Sequence, residues 1–192
     1  FMFDKLLKRF KRFNPFKKAV ETEGEAEKPA KEIFEINFGE FQKSIHYNII
    51  DRSYFVTALT HRSFLKVKSN PLKIGIISNE RLEFLGDAVL DLVVAEYLFK
   101  NFPLNEEGDL TKFRSILVNK KFLAERAKNI KLQNFMLASY TAKKSIEEGY
   151  DTILSDAYES LVGAVFMDSG YDAAKEFLNE EIFKKLDIKW LN

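Results

Sequence analysis

The sequence predicts an all-α protein. Apolar residues recur at spacings of three and four in almost every segment after residue 33. No stretch alternates convincingly at period two, and no internal repeat is present. The breaks between periodic segments coincide with Pro103, Gly108 and Gly170.

The elements follow in order. Phe3, Leu6, Leu7, Phe10 and Phe13 fall at helical spacing with Lys5, Lys8, Arg9, Lys11 and Arg12 between them, which reads as a short basic amphipathic helix ending before Pro15. Residues 1–20 form this arm. Its residues 1–18 suit an anionic membrane surface or RNA, against the plainer reading of a solubilising tail. Residues 21–32 (ETEGEAEKPAKE) carry Gly, Pro and five Glu but no large apolar residue, the composition of a flexible linker. A globular domain is expected over 33–192. Residues 33–47 and 52–65 read as two short amphipathic helices, the second capped by Asp51. Residues 66–78, with Pro71 and Gly75, read as a loop. Helices are then expected at 79–101, 109–129 and 132–139, a polar loop at 141–151, and helices at 153–169 and 172–186.

Composition narrows the chemistry. Hydrophobic residues make up 46% of the 192, enough for a core. Cysteine is absent, which excludes disulfides and thiolate metal sites and fits a cytoplasmic protein. Two histidines, His46 and His61, are too few for a histidine-built zinc site. No apolar run reaches the roughly 18 residues that a membrane span requires. Net charge is +1, but residues 1–20 hold seven Lys or Arg against Asp4, and residues 21–32 hold five Glu against two Lys. Residues 33–192 are therefore slightly acidic. Any grip on a polyanion must come from local patches or metal ions.

Residues 79–95, NERLEFLGDAVLDLVVA, are the most informative stretch. Leu82, Phe84, Leu85, Val89, Leu90, Leu92, Val93 and Val94 surround nearly the whole helix, a pattern that predicts burial. Yet Glu80, Glu83, Asp87 and Asp91 form one acidic stripe along it. Ionised carboxylates taken from water cost several kcal/mol each unless paired, so something positive must face the stripe. Salt bridges from neighbouring helices are one solution and a divalent cation is the other. Asp156 and Glu159, at i, i+3 in SDAYESLVGAVFMDSG, supply a second carboxylate pair on a helix that Leu161, Val162, Val165 and Phe166 should bury. Ligation by oxygen alone favours Mg²⁺ or Mn²⁺ over zinc. Gly86 and Gly163 would let the two helices approach closely. A di-iron bundle needs Glu-x-x-His pairs, but Lys43 and Ala58 stand three residues before His46 and His61.

Four blocks in order carry a resemblance to a known family: ALTHRSF at 58–64, NERLEFLGDAVLDLVVAEYLF at 79–99, EEGDLTKFRSILVNKKFLAERA at 106–127 and SDAYESLVGAVFMDSGYDAA at 155–174. Together they resemble the ribonuclease III endonuclease domain over residues 40–186. The resemblance implies a helical domain that forms a homodimer and cleaves double-stranded RNA with Mg²⁺, for which Mn²⁺ substitutes. It implies 5′-phosphate and 3′-hydroxyl ends and a role in RNA processing, ribosomal RNA included. Matched position by position, it assigns metal binding to Glu83, Asp87, Asp156 and Glu159, with Asp87 and Glu159 catalytic. Further acids fall on Glu80 and Glu107, and the dimer contact on Phe84 and Leu85. Asp91 lies beyond the quartet and reads as a supporting residue, while Asn79 and Arg81 belong to the signature. The common bacterial form continues into a double-stranded RNA-binding domain, and no such module is expected in this chain. The loop 141–152 holds Gly149 alone, fewer glycines than the resemblance leads one to expect there. The rival reading is a non-catalytic module of the same fold, structural or RNA-binding.

Overall fold

The computed structural model describes residues 36–67 and 77–186. The expectations for the arm 1–20, the linker 21–32 and most of the loop 66–78 fall outside these residues.

The described residues form helices and no strand. Helix α1 (Phe38–Ile45) starts where the Asn37 side chain accepts from the Glu40 N–H at 3.1 Å. Helix α2 (Arg52–Ala58) is capped by Asp51, as expected, through the Ser53 N–H at 2.9 Å. The expected 52–65 helix is in fact two. The backbone leaves α2 to pair with a distant segment, Leu137 N–H to Leu59 carbonyl at 2.8 Å and His61 N–H to Leu137 carbonyl at 2.9 Å. Helix α3 (Arg62–Leu65) then starts afresh with His61 as its cap.

Helix α4 (Glu80–Asn101) runs as expected and stops before Pro103. The expected helix 109–129 is broken into α5 (Glu107–Leu117) and α6 (Lys120–Asn129). Asn119 serves both ends: its amide donates to the Ser115 and Ile116 carbonyls, and its side-chain oxygen accepts from the Phe122 N–H. The expected helix 132–139 shrinks to a 3₁₀ turn, Leu132–Asn134, because the chain extends beyond it to meet Leu59 and His61. The polar loop expected at 141–151 is largely helix α7 (Tyr140–Glu147), capped by Ser139 through the Ala142 N–H at 3.3 Å. Helix α8 (Asp151–Glu181) kinks at Gly170, where φ is 82°, so the expected break holds. A 3₁₀ turn, Phe183–Lys185, follows.

Helix α8 is the centre of the molecule. It packs along α4 and against α6 and α2. Leu154, Tyr158, Leu161, Val162 and Val165 of α8 join Leu90, Val94 and Leu98 of α4 in one core. At the α4–α8 crossing the backbones touch. A Cβ on Gly86 would lie 1.8 Å from the Glu159 carbonyl oxygen, and one on Gly163 would lie 2.3 Å from the Leu82 carbonyl oxygen. Only glycine fits at either position, as the sequence suggested. Because this crossing sits level with Glu83 and Glu159, it fixes how near the two acidic pairs come.

The expectation that α4 is buried all round is corrected. Phe84, Leu92 and Phe99 are 82%, 57% and 74% exposed, because no other element among the described residues covers that face. Among the described residues, no helix is long and apolar enough to cross a membrane.

Candidate metal and catalytic site

The first turn of α4 is bolted to α8 through Asn79, which is 2% exposed. Its N–H donates to the Thr60 carbonyl at 2.9 Å, and its carbonyl accepts from the Ser160 hydroxyl at 3.3 Å. The same hydroxyl reaches the Asp156 carbonyl at 2.7 Å. Glu83 on α4 is thereby set opposite Asp156 and Glu159 on α8.

Carboxylate oxygens of Glu83, Asp156 and Glu159 all lie within 4.8 Å of one another, each side chain half-buried. Asp87, one turn along α4, lines the same open pocket of about 740 Å³. Three of these acids resist ionisation. Burial, then the charges of Asp87, Asp156 and Glu83, push Glu159 up to about 7. Burial and Asp156 raise Glu83, and burial and Asp91 raise Asp87.

Nearby cations balance only part of this charge. Lys120 approaches Asp156 at 3.4 Å, and Arg62 approaches Glu80 at 3.5 Å. Among the described residues no salt bridge reaches Glu83, Asp87 or Glu159. Salt bridges between helices thus account for the ends of the acidic array and leave its middle unpaired. The donor set suits a hard divalent cation: oxygens across a bound Mg²⁺ stand about 4.2 Å apart. The three carboxylates, with oxygens within 4.8 Å of one another, lie close to that span.

The structure distributes the remaining expected residues unevenly. Glu80 sits at the pocket rim, held by Arg62 and by the Ser78 hydroxyl at 2.7 Å. Asp91 lies outside the pocket lining and acts on Asp87. Glu107, expected as a further acid, does not join the cluster. It stands in the first turn of α5, where its carboxylate accepts from the Thr111 hydroxyl at 2.9 Å. Phe84 lines the pocket and is exposed, whereas Leu85 is half-buried against the core.

Two pocket residues escaped the reading of acidic spacing. His61 caps α3, with Nδ1 2.8 Å from the Ser63 hydroxyl, and burial and Arg62 hold it below the usual histidine range. It lies in the block 58–64, which was its only sequence signal. Lys120 opens α6 and lies in the block 106–127, but nothing in that block separates it from Lys121 beside it.

Comparison with known proteins places this geometry. A family model described as ribonuclease-III-like matches residues 51–186. Ribonuclease 3 of Sulfurovum sp. (strain NBC37-1) is 38% identical over 159 residues, covering 81% of this chain and 67% of that protein. Ribonuclease 3 of Campylobacter jejuni serotype O:2 is 41% identical over 158 residues, covering 81% and 66%. The chain thus spans about two thirds of the length of the curated relatives it matches. Among solved structures, the nuclease domain of the C. jejuni ribonuclease III superposes with a TM-score of 0.69 at 41% identity, over 78% of this chain and 99% of that one. In that domain a region involved in dimer formation is structurally flexible.

Proposed function

Since this chain belongs to the ribonuclease III family, we propose that it is an endonuclease that hydrolyses double-stranded RNA with a divalent cation held by Glu83, Asp87, Asp156 and Glu159. One observation carries the reading: carboxylates from two helices converge within 4.8 Å, and among the described residues no salt bridge reaches two of the three. Repulsion of that kind costs stability unless a cation relieves it.

The residues divide the work. Glu83 and Glu159 face each other across the α4–α8 crossing and would hold the cation together with Asp156, with Asp87 one turn along α4 as a further oxygen donor in the same pocket. Such a cation supplies Lewis acidity to the phosphoryl oxygen and lowers the pKa of the attacking water. Water adds to phosphorus and the P–O3′ bond breaks, so the 5′-phosphate and the 3′-hydroxyl are the product ends. Mg²⁺ is the natural ion and Mn²⁺ shares its preference for oxygen. RNA processing in the cytoplasm is the setting this reading implies.

The exposed stripe Phe84, Ala88, Leu92 and Phe99 on α4 supports a homodimer. Large apolar side chains at helical spacing on one open face suit a second copy of the same helix. Because Phe84 also lines the acidic pocket, dimerisation would build part of the pocket wall.

The test is incubation of the purified protein with long duplex RNA, with Mg²⁺ and with EDTA. Mg²⁺-dependent cleavage to 5′-phosphate ends is expected. Binding without cleavage would overturn the assignment in favour of a non-catalytic module of the same fold.

A further inference from the structure

We infer that Lys120 is a phosphate-contacting residue of this site, which exchanges Asp156 for the RNA backbone when a divalent cation enters the acidic cluster. The inference rests on the cleavage reading above and assigns a role to a cation that the acidic pattern does not include.

Four observations support it. The ammonium stands 3.4 Å from Asp156 Oδ1, and among the described residues Asp156 is its one salt-bridge partner. Its positive charge also acts on Glu83 and Glu159, lowering the pKa of each against the larger effects that raise them. It therefore occupies the same electrostatic position that a divalent cation would take. Its side chain is 63% exposed, so the four-carbon stem is free to swing. Backbone capping by Asn119 nevertheless anchors its Cα at the start of α6, which packs on α8.

The electrostatics then run one way. A doubly charged ion seated among Glu83, Asp156 and Glu159 repels an ammonium a few ångströms off and takes its carboxylate partner. The displaced amine needs a new anion within reach of its stem. In a nuclease complex, the anion brought to this pocket is a phosphate of the bound strand. Arg62 is a weaker candidate because Glu80, beyond the unpaired cluster, already engages it at 3.5 Å. His61 is held below the usual histidine range by burial and Arg62, which makes it a poorer cation for this role.

The experiment compares wild type with Lys120→Met and Lys120→Arg, using Lys43→Met as a surface control, since Lys43 pairs with Glu40 on α1, outside the acidic pocket. Mn²⁺ titrated calorimetrically into RNA-free protein should bind roughly three- to tenfold more tightly to Lys120→Met, because a competing charge is gone. Duplex binding in Ca²⁺, measured across salt concentrations, should lose about one unit of slope, the signature of one phosphate contact. Lys120→Arg should keep the slope. Unchanged Mn²⁺ affinity or an unchanged salt slope in Lys120→Met would overturn the inference. Circular dichroism melts confirm folding, and should Lys120→Met fail to fold, Lys120→Gln takes its place under the same criteria. A wild type that cleaves no RNA refutes the nuclease reading itself, whereas a cleaving wild type with an indifferent Lys120→Met refutes only the role of Lys120.

Discussion

Glu159 concentrates the chemistry of the site in one side chain. Its carboxyl rises from an ordinary 4.5 to about 7 because burial and three neighbouring acids oppose its charge. The folded protein therefore binds that proton more tightly than the unfolded chain does. The resulting stability is fully present below about pH 4.5 and is lost as pH rises through about 7. Glu159→Gln keeps the shape and removes the titration. In metal-free buffer at pH 8 the variant should be the more stable, by on the order of 1–2 kcal/mol after allowance for solvent screening. Chemical denaturation should show that gain shrinking towards pH 4.5. Mn²⁺ should reverse the order by stabilising the wild type, while cleavage by the variant should vanish. A variant less stable than wild type at pH 8 without metal would mean that the cluster is not strained. Spacing singled out six acids, Glu80, Glu83, Asp87, Asp91, Asp156 and Glu159, because carboxylates inside an apolar helical pattern demand a partner, and the family resemblance narrowed them to four. Lys120 was not singled out, because one surface lysine among many has no pattern, and only the fold brings α6 to Asp156.

Elements explain why those acids meet. Gly86 and Gly163 let α4 and α8 cross with their backbones in contact, and both glycines stood out in sequence as weak points inside good helices. Gly86→Ala puts a methyl 1.8 Å from the Glu159 carbonyl oxygen, where backbone rather than a yielding side chain must move. A loss of about 3 kcal/mol or more is expected, at or beyond the usual range for overpacking, with weakened Mn²⁺ binding as the helices part. Gly108→Ala, on α5 with nothing within 4 Å, should by contrast be neutral or stabilising by up to about 1 kcal/mol. Thermal melts of the pair decide whether the crossing is as close as described. Some boundaries escaped the sequence for physical reasons. Asn119 ends α5 and starts α6 through side-chain bonds, while the apolar period runs on past it. The helix α7 looked like a loop because Lys143, Lys144 and Ser145 dominate its composition. Its signal was Ser139 as a cap, with Ala142 and Ile146 four apart.

At the scale of the whole molecule, α4 presents an apolar face that the described residues leave open. The periodicity of α4 correctly marked that helix as apolar nearly all round, but burial within one protomer does not follow from it, since such a face also suits a second copy. Phe84→Ala should leave the protomer fold intact, because the ring is 82% exposed, and should weaken a dimer by about 2–4 kcal/mol. Sedimentation equilibrium measures this, and a wild type that stays monomeric at micromolar concentration would contradict it. Charge gives the other molecular-scale expectation. Residues 1–20 hold seven basic side chains on a nearly neutral chain. Deleting them should lower the salt slope of duplex binding and spare cleavage at saturating RNA, and superimposable slopes would mean that the arm does not touch RNA. The central claim is that the carboxylates of Glu83, Asp156 and Glu159 form one divalent-cation site. Anomalous diffraction from Mn²⁺-soaked crystals tests this most directly. The expected map shows a peak bonded to oxygens of all three residues, at about 2.1–2.2 Å, that disappears in Glu159→Gln. A map with no peak there, or a peak that persists unchanged in the variant, would contradict the claim.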